Sequence, residues 1–199
     1  MLPELIVITD WSLPRERLLS AIEALGALGP RVAVQHRHPE ATVLQLLQEA
    51  RVLARLCGRV GLPLFVNGRM DVALRVGAHL HLPSRGIRPA EARPVFPKGL
   101  WISAAVHDET ELADAVGADL LLVSPVFTPT SKEDSRPLLG ISGLEALAGR
   151  SDARAYALGG IRPASAATVP PGFGLAAIGS VLHAQDPLRA AEALLRTRR

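Results

Sequence analysis

The sequence predicts a (β/α)8 barrel, an α/β fold in which eight parallel strands each lead into a helix. Three observations predict it. Short apolar runs alternate with helical patterns eight times within 199 residues. Nearly every run ends on a polar residue or a glycine. No Gly-x-Gly-x-x-Gly follows the first run, so the doubly wound open sheet, the alternative for such an alternation, lacks its main motif. One barrel domain over residues 1–199 is expected, with no linker, low-complexity tract or short repeat.

The elements follow in order. Leu5-Ile-Val-Ile-Thr9 is a buried strand, and Pro14 opens a helix to about Leu28 with Leu18, Ile22 and Leu25 at helical spacing. Arg31–Arg37 is the second strand, and Thr42–Val60 a long helix with Leu46, Leu47, Leu53 and Leu56 on its apolar side. Leu64–Asn67 is the third strand, with a very short helix from Asp71 stopped by Gly77. His79–Leu82 is the fourth, with one or two helical turns over Pro89–Val95. Trp101–Ala105 is the fifth, and its helix runs from Asp108 to Val116 with Gly117 as the stop. Leu120–Val123 is the sixth, with a helix from about Ser142 to Leu147. Ala153–Leu158 is the seventh, with a short helix from Pro163. Leu175–Ile178 is the eighth, with the last helix from Pro187 to about Arg198.

Composition narrows the function classes. Hydrophobic residues make up 48%, yet no charge-free apolar run reaches membrane-spanning length. Met1-Leu-Pro-Glu4 lacks the basic start of a signal peptide. Cys57 is the sole cysteine, which excludes an intrachain disulfide and a cysteine-based zinc cage. A cytoplasmic protein with no membrane partner is expected. The net charge is +3, but lysine occurs only at 98 and 132, and aromatics at 4% are too few for a base-stacking platform. Nucleic acid is therefore not an expected partner, whereas a small phosphorylated substrate suits a mildly basic chain. A homodimer is compatible with a barrel of this size, though no stretch specifies one.

In such a barrel the chemistry sits at the C-terminal strand ends. Those ends carry Thr9 and Asp10; Gln35 and Arg37; Asn67 and Arg69; His81 and Ser84; Ser103 and His107; Ser124, Thr130, Ser131 and Lys132; Gly159 and Gly160; Gly179 and Ser180. The glycines after strands seven and eight fall where barrels hold phosphate, so Gly160, Gly179 and Ser180 are candidate phosphate ligands. Arg37 is a candidate clamp for a carboxylate or phosphate, because its planar fork pairs bidentately with either. His107 is a candidate proton carrier. Alternation turns His36 and His38 away from Gln35 and Arg37, so the four histidines 36, 38, 79 and 81 are not expected to form a metal cluster. The polar stretch 124–140 after strand six is expected to be an active-site lid.

Taken together, Leu5–Asp10, Gln35-His-Arg37, Phe65–Asp71, Ser103–His107, Gly117–Asp119, Ser124–Phe127, Leu158–Ile161 and Ala177–Ser180 resemble the thiamine phosphate synthase/TenI superfamily, in order over about residues 4–195. The resemblance implies a barrel enzyme of thiamine biosynthesis. It also implies substrate contacts at Gln35, Arg37, Asn67, Ser103, Ser131 and Lys132. Synthases of this family join a pyrimidine diphosphate to a thiazole phosphate with magnesium, and TenI-type proteins are metal-free thiazole tautomerases. Here Pro39 stands at a synthase lysine, and Gly68 and Gly86 stand at the two magnesium aspartates. Residues Asn67–Asp71 and Leu80–Ser84 resemble TenI stretches, in which the residue at the place of His107 transfers the proton. The Thr-x-Thr-Lys of synthases falls on Pro129, Ser131 and Lys132, an incomplete match. These departures make the tautomerase, acting on a small phosphorylated thiazole with no cofactor, the expected activity. Thiamine phosphate synthase, with magnesium, is the alternative, and a non-catalytic binder of thiazole or thiamine phosphate is the third.

Overall fold

The computed structural model describes residues 1–128 and 136–198. Eight parallel strands close into a barrel in sequence order: β1 (Leu5–Ile8), β2 (Val32–His36), β3 (Leu64–Asn67), β4 (His79–Leu82), β5 (Ile102–Val106), β6 (Leu120–Val123), β7 (Arg154–Ala157) and β8 (Gly174–Ala177). The seam is closed by β8 on β1, with Leu5 opposite Leu175 and Val7 opposite Ala177.

Around it lie α1 (Arg15–Leu25), α2 (Val43–Val60), α3 (Met70–Val76), α4 (Pro89–Ala92), α5 (Glu109–Asp114), α6 (Gly140–Ala148), α7 (Pro163–Ala166), α8 (Gly179–Leu182) and α9 (Pro187–Arg196). Three helices, α2, α5 and α9, start on a side-chain cap. Thr42 accepts from the Gln45 N–H, Asp108 from Glu111 and Asp186 from Arg189.

Two expectations need correction. The first helix ends at Leu25, not Leu28, and residues 26–31 form 3₁₀ turns broken at Gly29, whose φ is +56°. Pro30 disfavours the helical shape at Gly29, and the turn packs closely on α2: a Cβ on Gly26 would lie 2.5 Å from Val60 Cβ. Conversely, Gly179–Leu182 is a helical turn that the sequence pattern did not single out.

Two apolar layers hold the barrel. The outer one packs helices on strands through residues such as Leu18, Ile22, Leu53, Leu144 and Leu194. The inner one fills the barrel with Ile6, Ile8, Ala33, Phe65, Leu120, Leu122, Tyr156 and Ala176. His79 stacks on Trp101 with ring centroids 4.3 Å apart and lies 4.9 Å from Phe65. The barrel is therefore filled by side chains below its C-terminal mouth. The opposite end is closed by polar groups: Arg31 pairs with Glu4 at 2.7 and 3.0 Å, and Tyr156 Oη donates to the Pro3 carbonyl at 2.5 Å.

Candidate functional site

Strand parity brings the predicted polar residues to one place. Ala33 and Phe65 face the barrel interior, so Gln35 and Asn67, two residues on, face its mouth. Asn67, His81 and Ser103 are direct cross-strand neighbours on β3, β4 and β5. Gln35 is 1% exposed, and its amide has no partner among the described residues. Arg37, half-buried, follows β2, and no described residue bonds its guanidinium. Its charge nevertheless disfavours protonation of His81, which places it at the same mouth.

Sequence analysis placed His81 at a strand end but gave it no role. Its Nδ1 lies 2.8 Å from Ser103 Oγ. Burial, then the charges of Arg37 and His107, push its pKa down to about 3, so it stands neutral at physiological pH. The signal that could have found it was the two-residue spacing from His79 beside inward-facing Asn67.

His107 follows β5, and Glu111 one helical turn later receives it. The carboxylate accepts from the His107 backbone N–H at 2.9 Å and from Nδ1 at 2.5 Å. A carboxylate only accepts, so Nδ1 carries the proton and Nε2 is left for a ligand. Asp108, capping α5, fixes the turn that makes this pair. Glu111 was also missed, although i,i+4 spacing from His107 was a legible cue.

The glycine loops divide. Gly159 and Gly160 have φ of +94° and +62°, and a Cβ on Gly160 would lie 2.5 Å from Thr128 O and 2.7 Å from Phe127 Cβ. Close packing on the segment after β6 accounts for this pair without a ligand. Gly179 is different, since a Cβ there meets only His183 Cδ2 at 3.9 Å. Ser180, beside it, has a hydroxyl with no partner among the described residues. Ser131 and Lys132, with most of the expected lid, lie outside the described residues. His36 and His38 do turn outward, towards α2, as alternation required.

A magnesium ion would need carboxylate or phosphate oxygens. The carboxylates of this rim, Asp10 and Glu111, are paired with His183 and His107; the other donors are amides, imidazoles, hydroxyls and a guanidinium, with Gly68 directly after Asn67. Among the described residues no three His, Cys, Asp or Glu side chains converge. Among the described residues the groups at this mouth do not fit the ion. Likewise, no helix among the described residues is long and apolar enough to cross a membrane.

A closed (β/α)8 barrel with polar side chains ringing its C-terminal mouth is the architecture of a small-molecule enzyme. The chain belongs to the thiamine phosphate synthase/TenI superfamily, enzymes of thiamine biosynthesis: the family model described as thiamine monophosphate synthase matches residues 5–180. It is 36% identical over 195 residues to the thiamine-phosphate synthase of Chloroflexus aurantiacus, covering 96% of this chain and 90% of that one. The thiamine-phosphate synthase of Methanoculleus marisnigri is 32% identical over 196 residues, covering 96% and 93%. Among solved structures, the thiamine phosphate pyrophosphorylase from Pyrococcus furiosus superposes with a TM-score of 0.83 at 31% identity, covering 98% and 95%.

Proposed function

We propose that the chain makes thiamine phosphate by joining an aminopyrimidine diphosphate to a thiazole phosphate. The observation that carries this reading is the likeness, over nearly the whole chain, to proteins named thiamine-phosphate synthase. In the reaction the thiazole nitrogen lone pair forms a C–N bond to the pyrimidine methylene carbon. The C–O bond to diphosphate breaks, and its electron pair leaves with the diphosphate. Gln35, Asn67, His81 and Ser103 surround the pyrimidine ring. Arg37 meets the diphosphate with its planar fork. Gly179 and Ser180, with Gly160 on the neighbouring loop, hold the thiazole phosphate. Ser131 and Lys132 belong to the loop that would add a second cation.

A second reading has a specific observation behind it. Gly68 and Gly86 replace the two magnesium aspartates that the family resemblance implies, and His107, oriented by Glu111, leaves Nε2 free for proton transfer. These features support the tautomerase expected from the sequence, in which His107 moves a proton between ring and exocyclic carbons. The names of the relatives support the synthase instead.

Assays of both reactions, each with and without magnesium, separate the two. Formation of thiamine phosphate from both substrates supports the synthase. Aromatisation of a carboxythiazole phosphate with no such condensation overturns it. His107→Asn sharpens the outcome: tautomerisation should fall at least ~10²-fold, the usual scale of general acid–base catalysis, while condensation stays within a few-fold. Binding without either turnover would leave the non-catalytic reading.

A further inference from the structure

Arg37 stands one residue beyond β2, where the strand ladder no longer fixes it. The last rungs are Ile8 opposite Gln35 and the Thr9 N–H donating to the Gln35 carbonyl at 2.9 Å. The next rung is made by a side chain. Thr9 Oγ1 donates to the Arg37 carbonyl at 3.1 Å and accepts the Arg37 N–H at 2.9 Å. It also accepts Trp11 Nε1–H at 3.1 Å, which uses its donor and both acceptor sites.

Trp11 is held in turn. Its ring stacks on His38 at 5.3 Å with planes 6° apart, and meets His36 edge-on at 5.4 Å. His38 Nδ1 bonds both oxygens of Glu49 at 3.0 and 3.1 Å, and Gln45 Nε2 donates to the same carboxylate at 3.1 Å. His36 Nδ1 faces Trp11 Nε1–H at 3.3 Å, so its Nε2 carries the proton and donates to the Leu46 carbonyl at 3.3 Å. Burial favours this neutral form. Glu49 is 6% exposed. Packing of helices on this barrel is otherwise largely apolar. A buried carboxylate among imidazoles is a costly way to make such a contact, and here its imidazole partners, His36 and His38, flank Arg37 in the chain. Arg37 itself offers its guanidinium to the mouth with no described protein partner.

We infer that Thr9, Trp11, His38 and Glu49 form a brace that positions Arg37 for an anionic group of the substrate, a diphosphate or carboxylate. The inference rests on the proposed role of Arg37 as an anion clamp and holds for either reaction. The four are positioning residues: their contacts run to the backbone of Arg37 and to its sequence neighbours, and only Arg37 meets the ligand. Misplacing a binding group by about an ångström is enough to cost one to two decades.

The test is a double-mutant cycle on the full chain, read by calorimetry with inorganic pyrophosphate as probe. Trp11→Phe keeps an aromatic ring for the stack but removes the indole N–H and part of the stacked area. Glu49→Gln keeps the shape and removes the charge. Each should weaken pyrophosphate about tenfold in the parent and have no further effect in Arg37→Ala, the signature of a shared path. In steady-state assays KM for the anionic substrate should rise while kcat changes little. Thermal melts establish that each variant is folded, and Trp11→Phe serves if Glu49→Gln does not fold. Equal weakening in both backgrounds, or none in the parent, overturns the brace. So does an Arg37→Ala variant that binds pyrophosphate like the parent. Arg37-dependent binding with the expected cycle, in a chain that catalyses neither reaction, would sink the functional reading and leave the brace standing.

Discussion

The two ends of the barrel are built from similar residues to opposite effect. At the N-terminal end, Glu4 pairs with Arg31, Tyr156 donates to Pro3, and the Arg154 guanidinium lies 5.5 Å over the Tyr156 ring. Arg198 donates to the Ala166, Val169 and Pro170 carbonyls at 2.6, 2.9 and 3.1 Å. At the C-terminal end, the guanidinium of Arg37, the amide of Gln35 and the hydroxyl of Ser180 have no such partners among the described residues. The difference separates two uses of polarity. Groups at the closed end pair with protein and seal it, whereas the mouth combines pairs such as His107 with Glu111 and groups that no described residue bonds. The separation has an exception: Arg154 Nε, at the closed end, is buried with no hydrogen-bond partner among the described residues.

If the ends are separable, damage to the closed end should cost stability and leave binding alone. The largest such effect is expected at Gly174. A Cβ there would lie 2.2 Å from Tyr156 Cδ1 and Cε1, inside the ring that plugs the barrel. Gly174→Ala should destabilise by about 3 kcal/mol, the upper range for overpacking, seen as a lower midpoint in urea unfolding with KM unmoved in the folded fraction. The converse variant is Arg37→Ala. It should weaken anionic substrate by about 30-fold, as expected for a lost charge-assisted pair, while the melting temperature barely shifts. A large melting shift there would erase the distinction between the ends.

Acid probes both ends together. Burial, partly opposed by Asp119, pushes the pKa of His79 down to about 4, and that of His81 falls to about 3. Both lie below the ordinary 6.5, so the unfolded chain binds more protons between those values. The stability linked to these groups is complete above about pH 6.5 and is lost as pH falls towards 4 and then 3. Melts across this range should fall in parent protein, and less steeply in His79→Gln and in His81→Gln. Only the His81 variant should also change ligand affinity. The smallest effect is expected from Tyr156→Phe, about 1 kcal/mol for one hydrogen bond, with affinity unaltered.

Much of this was legible in the chain. The runs located all eight strands within a residue or two, because a parallel strand buried on both faces is mostly apolar, with β4 (His79-Leu-His-Leu82) the half-polar case. The same parity correctly separated outward His36 and His38 from inward Gln35 and Arg37. What could not be seen were contacts joining distant segments: the Trp11–His38 stack, the Thr9 bonds to Arg37, and Tyr156 filling the space that Gly174 leaves. These depend on how strands are staggered around the barrel, which local pattern does not encode. The glycine signal carries two meanings at Gly160, where packing against Phe127 calls for a glycine with or without a phosphate.

Gly68 has a consequence for ancestry. Its φ is +72°, and the nearest atoms to a Cβ there are Pro83 Cδ and Cγ at 3.8 and 3.9 Å. A Cβ would meet only ordinary contacts, and although this left-handed shape strains any side chain, Asp is among the few residues that visit it. The scaffold around position 68 therefore admits either residue. A rim with a carboxylate there and one without are a single substitution apart, and a lineage could cross between them without disturbing the folded core.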